Sequence, residues 1–86
     1  MGSMKEFYES PQVDAVTIGK VLFEHRKKKG LSQEIQSGLA GIGRTQYSTF
    51  ERGTRKPTYS EFKKLCDSFD SEPAVILEEI KSRLGE

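Results

Sequence analysis

Glycine placement constrains this chain more than any other feature. Gly30, Gly41, Gly43 and Gly53 cut its middle into two short segments, 31–40 and 44–52. Glycine adopts positive φ without strain and therefore ends helices. The first segment opens on Ser32, an N-cap residue followed by Gln33 and Glu34. Its apolar spacing runs Ile35, Leu39, Ile42, which predicts the inner face of a helix. Gly38 lies inside that helix, where glycine costs ~1 kcal/mol against alanine, and marks a candidate point of close helix–helix approach. The second segment sets Tyr47 and Phe50 inward, three residues apart. Its other surface is Arg44, Thr45, Gln46, Ser48 and Thr49, with no carboxylate before Glu51.

The flanking chain reads as helix too. Asp14 is an N-cap for a helix to Lys29, with Ile18, Leu22 and His25 on its inner face and Gly30 as its stop. His25 there is expected to be a core histidine. Val21 and Phe23 widen the apolar arc and call for a cover from the N-terminal segment, the last helix or a second subunit. Thr58-Tyr59-Ser60-Glu61 is a capping box. Phe62, Leu65, Cys66 and Phe69 follow at i, i+3, i+4, i+7, so Cys66 is expected as a small core side chain. A last helix from about Pro73 presents Ile76, Leu77, Ile80 and Leu84. Residues 1–13, broken by Ser10-Pro11, read as a tail that Phe7, Tyr8 and Val13 could anchor, and Met1-Gly2-Ser3 before Met4 reads as a cloning remnant. The expectation is an all-α domain over 14–86, compact, with five helices and no strand.

Composition bounds the function. The 86 residues suit one domain, and twenty of them are Leu, Ile, Val or Phe, enough for one small core but not for a catalytic cleft between layers. No apolar run approaches the ~18–20 residues of a membrane span, and residues 1–16 carry no signal-peptide pattern. The single cysteine, Cys66, excludes an internal disulfide and fits a reducing, cytoplasmic setting. One His and one Cys cannot build a zinc site, so no metal is expected; nor is a cofactor or small-molecule ligand. An acid–base pair and a phosphate loop are also absent from the sequence, so an enzyme is not expected. The net charge of +1 conceals a basic middle. Residues 18–64 hold eleven Lys/Arg against four Glu, a net +7 between two acidic ends, which is the footprint of a surface for polyanions.

Two helices joined by a glycine-bearing turn, the second short and polar outside, form the layout of a helix-turn-helix DNA reader. The major groove admits one helix, whose outer side chains must reach base edges. Arg44 can bond bidentately to guanine, Gln46 suits adenine, and Thr45 and Thr49 offer a hydroxyl or a methyl to thymine.

The residues Leu31-Ser32-Gln33-Glu34, Gly41-Ile42, Arg44-Thr45, Ser48, Phe50-Glu51-Arg52-Gly53 and Pro57 resemble the phage repressor and Cro-type (XRE-like) helix-turn-helix family over about residues 18–77. The resemblance implies a five-helix DNA-binding domain acting as a homodimer on a palindromic operator. It implies that Arg44, Thr45, Ser48 and Thr49 face bases, that Gln33, Arg52, Arg55 and Lys56 hold phosphates, and that Glu51 pairs with Arg26. The family places apolar residues where Gln36 and Ala40 stand and an aliphatic one at His25. Here the apolar spacing runs one residue earlier, through Ile35 and Leu39.

The expected function is a transcriptional regulator on double-stranded DNA, with the third predicted helix, about 44–52, in the major groove. A restriction–modification controller protein and the DNA-binding part of a peptide-sensing regulator both fit within that class. Outside it stands a protein-interaction module such as an antitoxin. In the last helix Pro73, Leu77, Ile80 and Leu84 form a narrow seam, with Leu77, Ile80 and Leu84 the expected dimer interface; the alternative is that the whole stripe packs within one subunit.

Overall fold

A computed structural model describes residues 3–85 of the chain. Among them lie six helices and no strand: α1 (Met4–Glu9), α2 (Ala15–Lys29), α3 (Gln33–Ala40), α4 (Arg44–Arg52), α5 (Tyr59–Ser68) and α6 (Pro73–Leu84). The expected five are α2 to α6. Met1 and Gly2 of the supposed cloning remnant lie outside the described residues.

The local punctuation acts as its chemistry dictates. Asp14 Oδ1 accepts from the Thr17 amide at 2.8 Å and Ser32 Oγ from the Ile35 amide at 3.1 Å, satisfying N–H groups that a first helical turn leaves unpaired. Thr58 and Glu61 form the reciprocal capping box of α5. Gly30, Gly41 and Gly53 close α2, α3 and α4 in the left-handed region.

The additional helix, α1, corrects the reading of residues 1–13 as a tail. Ser10-Pro11 does end it, but six residues precede that break. So short a helix is marginal alone and forms here through tertiary burial. Tyr8 is buried, its ring 4.5 Å from that of Phe62, and its hydroxyl donates to the Pro57 carbonyl at 2.5 Å. Val13 also joins the core.

That core lies where α2, α5 and α6 meet α4 and α1, through Ile18, Leu22, Tyr47, Phe50, Phe62, Leu65, Ile76 and Ile80. Burial pushes the Cys66 thiol up to about 12, as suits a small core side chain. His25 is only partly buried: its ring lies tilted against that of Phe69, centroids 5.4 Å apart, and its Nε2 lies 2.9 Å from Glu79, joining α2 to α6.

Three expectations on packing are corrected. First, α3 turns a different face inward. Gln36, Ser37 and Ala40 are buried, whereas Ile35 and Leu39 are 54% and 60% exposed. Gln36 Nε2 donates to Ser68 Oγ at 2.8 Å, so the polar side chain enters with a partner. Second, Gly38 makes no close approach, because a Cβ there would meet nothing within 4 Å. The close approach is at Gly19, where a Cβ would stand 2.6 Å from the Glu51 carbonyl oxygen. Third, Leu77 and Ile80 are 4% and 0% exposed inside one subunit. Because α1 packs on α6, the supposed dimer seam is filled from within, and Leu84 is half-buried against the same core.

Candidate nucleic-acid interface

The outer side of α4 begins at Gly43, a cap residue without a capping side chain, so the first amides of the helix stay open. Arg44 and Thr45 on the first turn are exposed; Ser48 and Thr49 on the next are half-buried. Arg52 ends the helix, exposed, and Arg55 is exposed in the loop beyond. A shallow concavity of about 220 Å³ is lined by Gln33, Arg44, Thr45, Ser48 and Arg52. Five residues chosen from sequence on two helices thus share one surface. Among the described residues, Arg44, Arg52 and Arg55 enter no ion pair.

The carboxylate that would oppose a polyanion there is turned inward. Arg26 Nε donates to Glu51 Oε2 at 2.6 Å and Nη2 to Oε1 at 2.9 Å, the expected pair in its bidentate form. The two side chains are 13% and 5% exposed. Burial is the largest single influence on the Glu51 carboxyl and would raise it, but the hydrogen bonds it accepts, led by those from Arg26, together with the Arg26 charge, outweigh burial and hold the group below its ordinary range. Arg26 also donates from Nη1 to the Leu31 carbonyl at 2.8 Å, and Gln33 Nε2 reaches Glu51 Oε1 at 3.2 Å. One buried charge pair therefore joins the end of α2, the start of α3 and the end of α4.

Backbone packing reinforces this junction. Gly19 lets α2 lie against the last carbonyls of α4. Gly53, with φ of 76°, turns the chain where a Cβ would stand 3.0 Å from Val16 Cα.

Two residues assigned from sequence are committed elsewhere. The Gln46 amide donates to Glu61 Oε2 at 2.6 Å, tying α4 to the cap of α5. The Lys56 ammonium donates to the Tyr8 carbonyl at 2.7 Å and the Ser10 carbonyl at 3.4 Å, 4.8 Å above the Tyr8 ring. It secures α1 rather than standing free in the loop. Nothing near Gln46 or Lys56 in sequence signals these roles, since each partner lies on another helix or turn.

The chain is similar to several known proteins. Residues 19–80 match the family model described as a helix-turn-helix domain. The HTH-type transcriptional regulator YqaF of Bacillus subtilis (strain 168) is 34% identical over 61 residues, which is 71% of this chain and 80% of YqaF. The HTH-type transcriptional regulator AnsR of the same organism is 38% identical over 50 residues, or 58% of this chain and 43% of AnsR. The crystal structure of the restriction-modification controller protein C.AhdI from Aeromonas hydrophila is similar with a TM-score of 0.67 and 38% identity, across 70% of this chain and 91% of that one.

Proposed function

The chain belongs to the helix-turn-helix domain family, in its XRE-like branch, and from that premise we propose that it is a DNA-binding transcriptional regulator whose helix-turn-helix is α3 and α4. The observation that carries this reading is the shared concavity of Gln33, Arg44, Thr45, Ser48 and Arg52. In it, α4 enters the major groove. Arg44 bonds to a guanine edge, and Thr45, Ser48 and Thr49 meet neighbouring bases. Gln33 from α3, with Arg52 and Arg55, holds phosphates on either side. Gln46 and Lys56 position the reader: the first steadies α4 through Glu61, the second anchors α1. Residues 14–86 form the DNA-binding domain, and α1 buttresses it.

The regulator acts as a homodimer on a palindromic operator, two α4 helices meeting half-sites about one turn, ~34–36 Å, apart. The similarity to the controller protein C.AhdI favours a regulator of that small type.

A salt titration on random duplex tests the core of this reading. Affinity should fall steeply and linearly in log–log form, with a slope of about −0.9 per neutralised phosphate. Weak binding at every salt concentration would overturn it. Selection of bound duplexes from a random library should then yield a palindrome.

One observation favours a second reading, a protein-interaction module such as an antitoxin. Ile35 and Leu39 form an exposed aliphatic pair on α3. Under that reading, Leu39→Glu abolishes capture of a partner protein and leaves duplex binding as it was.

A further inference from the structure

We infer that Glu51 is a positioning residue for DNA binding: its buried carboxylate fixes the side-chain amide of Gln33 so that one N–H is left to donate to a phosphate. This rests on the proposed function, in which Gln33 holds the DNA backbone at the start of α3.

Gln33 is the first residue of α3 and is half-buried. Its Nε2 donates to Glu51 Oε1 at 3.2 Å. Gln33 also lines the concavity shared with Arg44, Thr45, Ser48 and Arg52, whereas Glu51 does not. The Glu51 side chain is 5% exposed. Glu51 therefore lies behind the reading surface and acts on a ligand there through Gln33.

A glutamine amide by itself is ambiguous toward a phosphate. Its nitrogen carries two donors, its oxygen only accepts, and the two ends have nearly the same shape. Presented oxygen first, it repels a phosphate oxygen. Presented nitrogen first, it donates a charge-assisted hydrogen bond. An ionised carboxylate resolves the ambiguity because it can only accept. Glu51 Oε1 binds the nitrogen end of Gln33 and rejects the oxygen end. One N–H is then taken by Glu51, and the second diverges from it on the same nitrogen, left for the concavity.

Arg26 makes this arrangement compatible with a polyanion. Its guanidinium bonds both Glu51 oxygens, at 2.6 and 2.9 Å, so the pair is neutral overall and does not oppose a phosphate. Arg26 Nη2 and Gln33 Nε2 share Oε1 as their acceptor. The carboxylate orientation that the guanidinium holds by two bonds thereby also sets where the Gln33 amide stands. The buried pair carries the register of α2 to the backbone contact of α3.

The test is a double-mutant cycle in duplex affinity, with circular dichroism and melting followed alongside, below the melting range of every variant. Gln33→Met removes the amide at similar length and should weaken binding about tenfold on every duplex. The salt slope should stay as in wild type, because Gln33 carries no charge. Glu51→Gln can turn either end toward Gln33, frees the amide to flip, and should weaken binding about fivefold. In the Gln33→Met background the same change should cost no further affinity, although it still lowers the melting temperature. An equal loss in both backgrounds would mean that Glu51 acts only through the fold and would overturn the inference, as would a Gln33→Met variant that binds like wild type. Should Glu51→Gln fail to fold, NMR of the wild-type side-chain amide decides. Of the two Gln33 Nε2 protons, one should keep its shift when duplex is added and the other should move; both still, or both moving alike, would overturn the inference. A wild type that binds no duplex at low salt would overturn the proposed function itself.

Discussion

The Arg26 guanidinium clasps the Glu51 carboxylate through two hydrogen bonds, of 2.6 and 2.9 Å, with both side chains largely buried. Removing one partner leaves the other charged and unpaired in a protein interior, which costs ~3–5 kcal/mol. Glu51→Gln should therefore lower the melting temperature strongly. An unchanged melting temperature would refute the structural role of the pair.

The same pair predicts an acid response. The Glu51 carboxyl lies below its ordinary value in the folded chain, as do those of the cap residues Asp14, bonded to the Thr17 amide, and Glu61, bonded to the Thr58 amide. Groups depressed on folding stabilise fully above their unfolded pKa, near ~4 for carboxylates. That stability is lost as pH falls from there through the lower folded value. Melting temperature measured from pH 7 to pH 3 should drop at the acid end, and the drop should be shallower in Glu51→Gln.

Two glycines should respond oppositely to alanine. At Gly19 the new methyl would meet two carbonyl oxygens of α4, at 2.6 and 2.7 Å, and must push α2 away from α4. Overpacking of this kind costs ~1–3 kcal/mol. At Gly38 the methyl meets open space inside a helix and should stabilise by about 0.4–1 kcal/mol. Urea melts of the two variants check the contrast.

Arginine and lysine around α4 should separate by mechanism. Arg44→Ala should cost ~1–3 kcal/mol on the specific site and relax preference at one position per half-site. Arg55→Ala should weaken binding to every sequence and reduce the salt slope by about one unit. Lys56→Met should lower the melting temperature with little change in salt slope, because its ammonium is occupied by the Tyr8 and Ser10 carbonyls. Paired titrations on selected and random duplexes distinguish the three outcomes.

Much of the local fold around the candidate site is legible in the sequence. The caps at Asp14, Ser32 and Thr58, the glycine stops and the inward Tyr47 and Phe50 all follow from interactions within a few residues, which sequence spacing reveals directly. The exposed Arg44 and Thr45 belong with these, since a polar helix face needs no distant partner. The Arg26–Glu51 pair is long-range and came from the family resemblance instead.

What the sequence by itself determined is where five helices begin and end and which short helix carries a polar outer face. Tertiary structure alone decided how those helices turn. A helix as short as α3 has little apolar face to orient it, and its rotation is set by its ends. Gln33 reaches Glu51, the Leu31 carbonyl takes Arg26, and Gln36 meets Ser68. Turning it by one residue to bury Ile35 and Leu39 would break the Gln33 and Gln36 contacts. The same holds for α1, whose six residues make a stable helix only against Phe62 and Pro57, and for Leu77, which α1 covers. These outcomes depend on partners far away in sequence, and the pattern of a short segment carries no record of them.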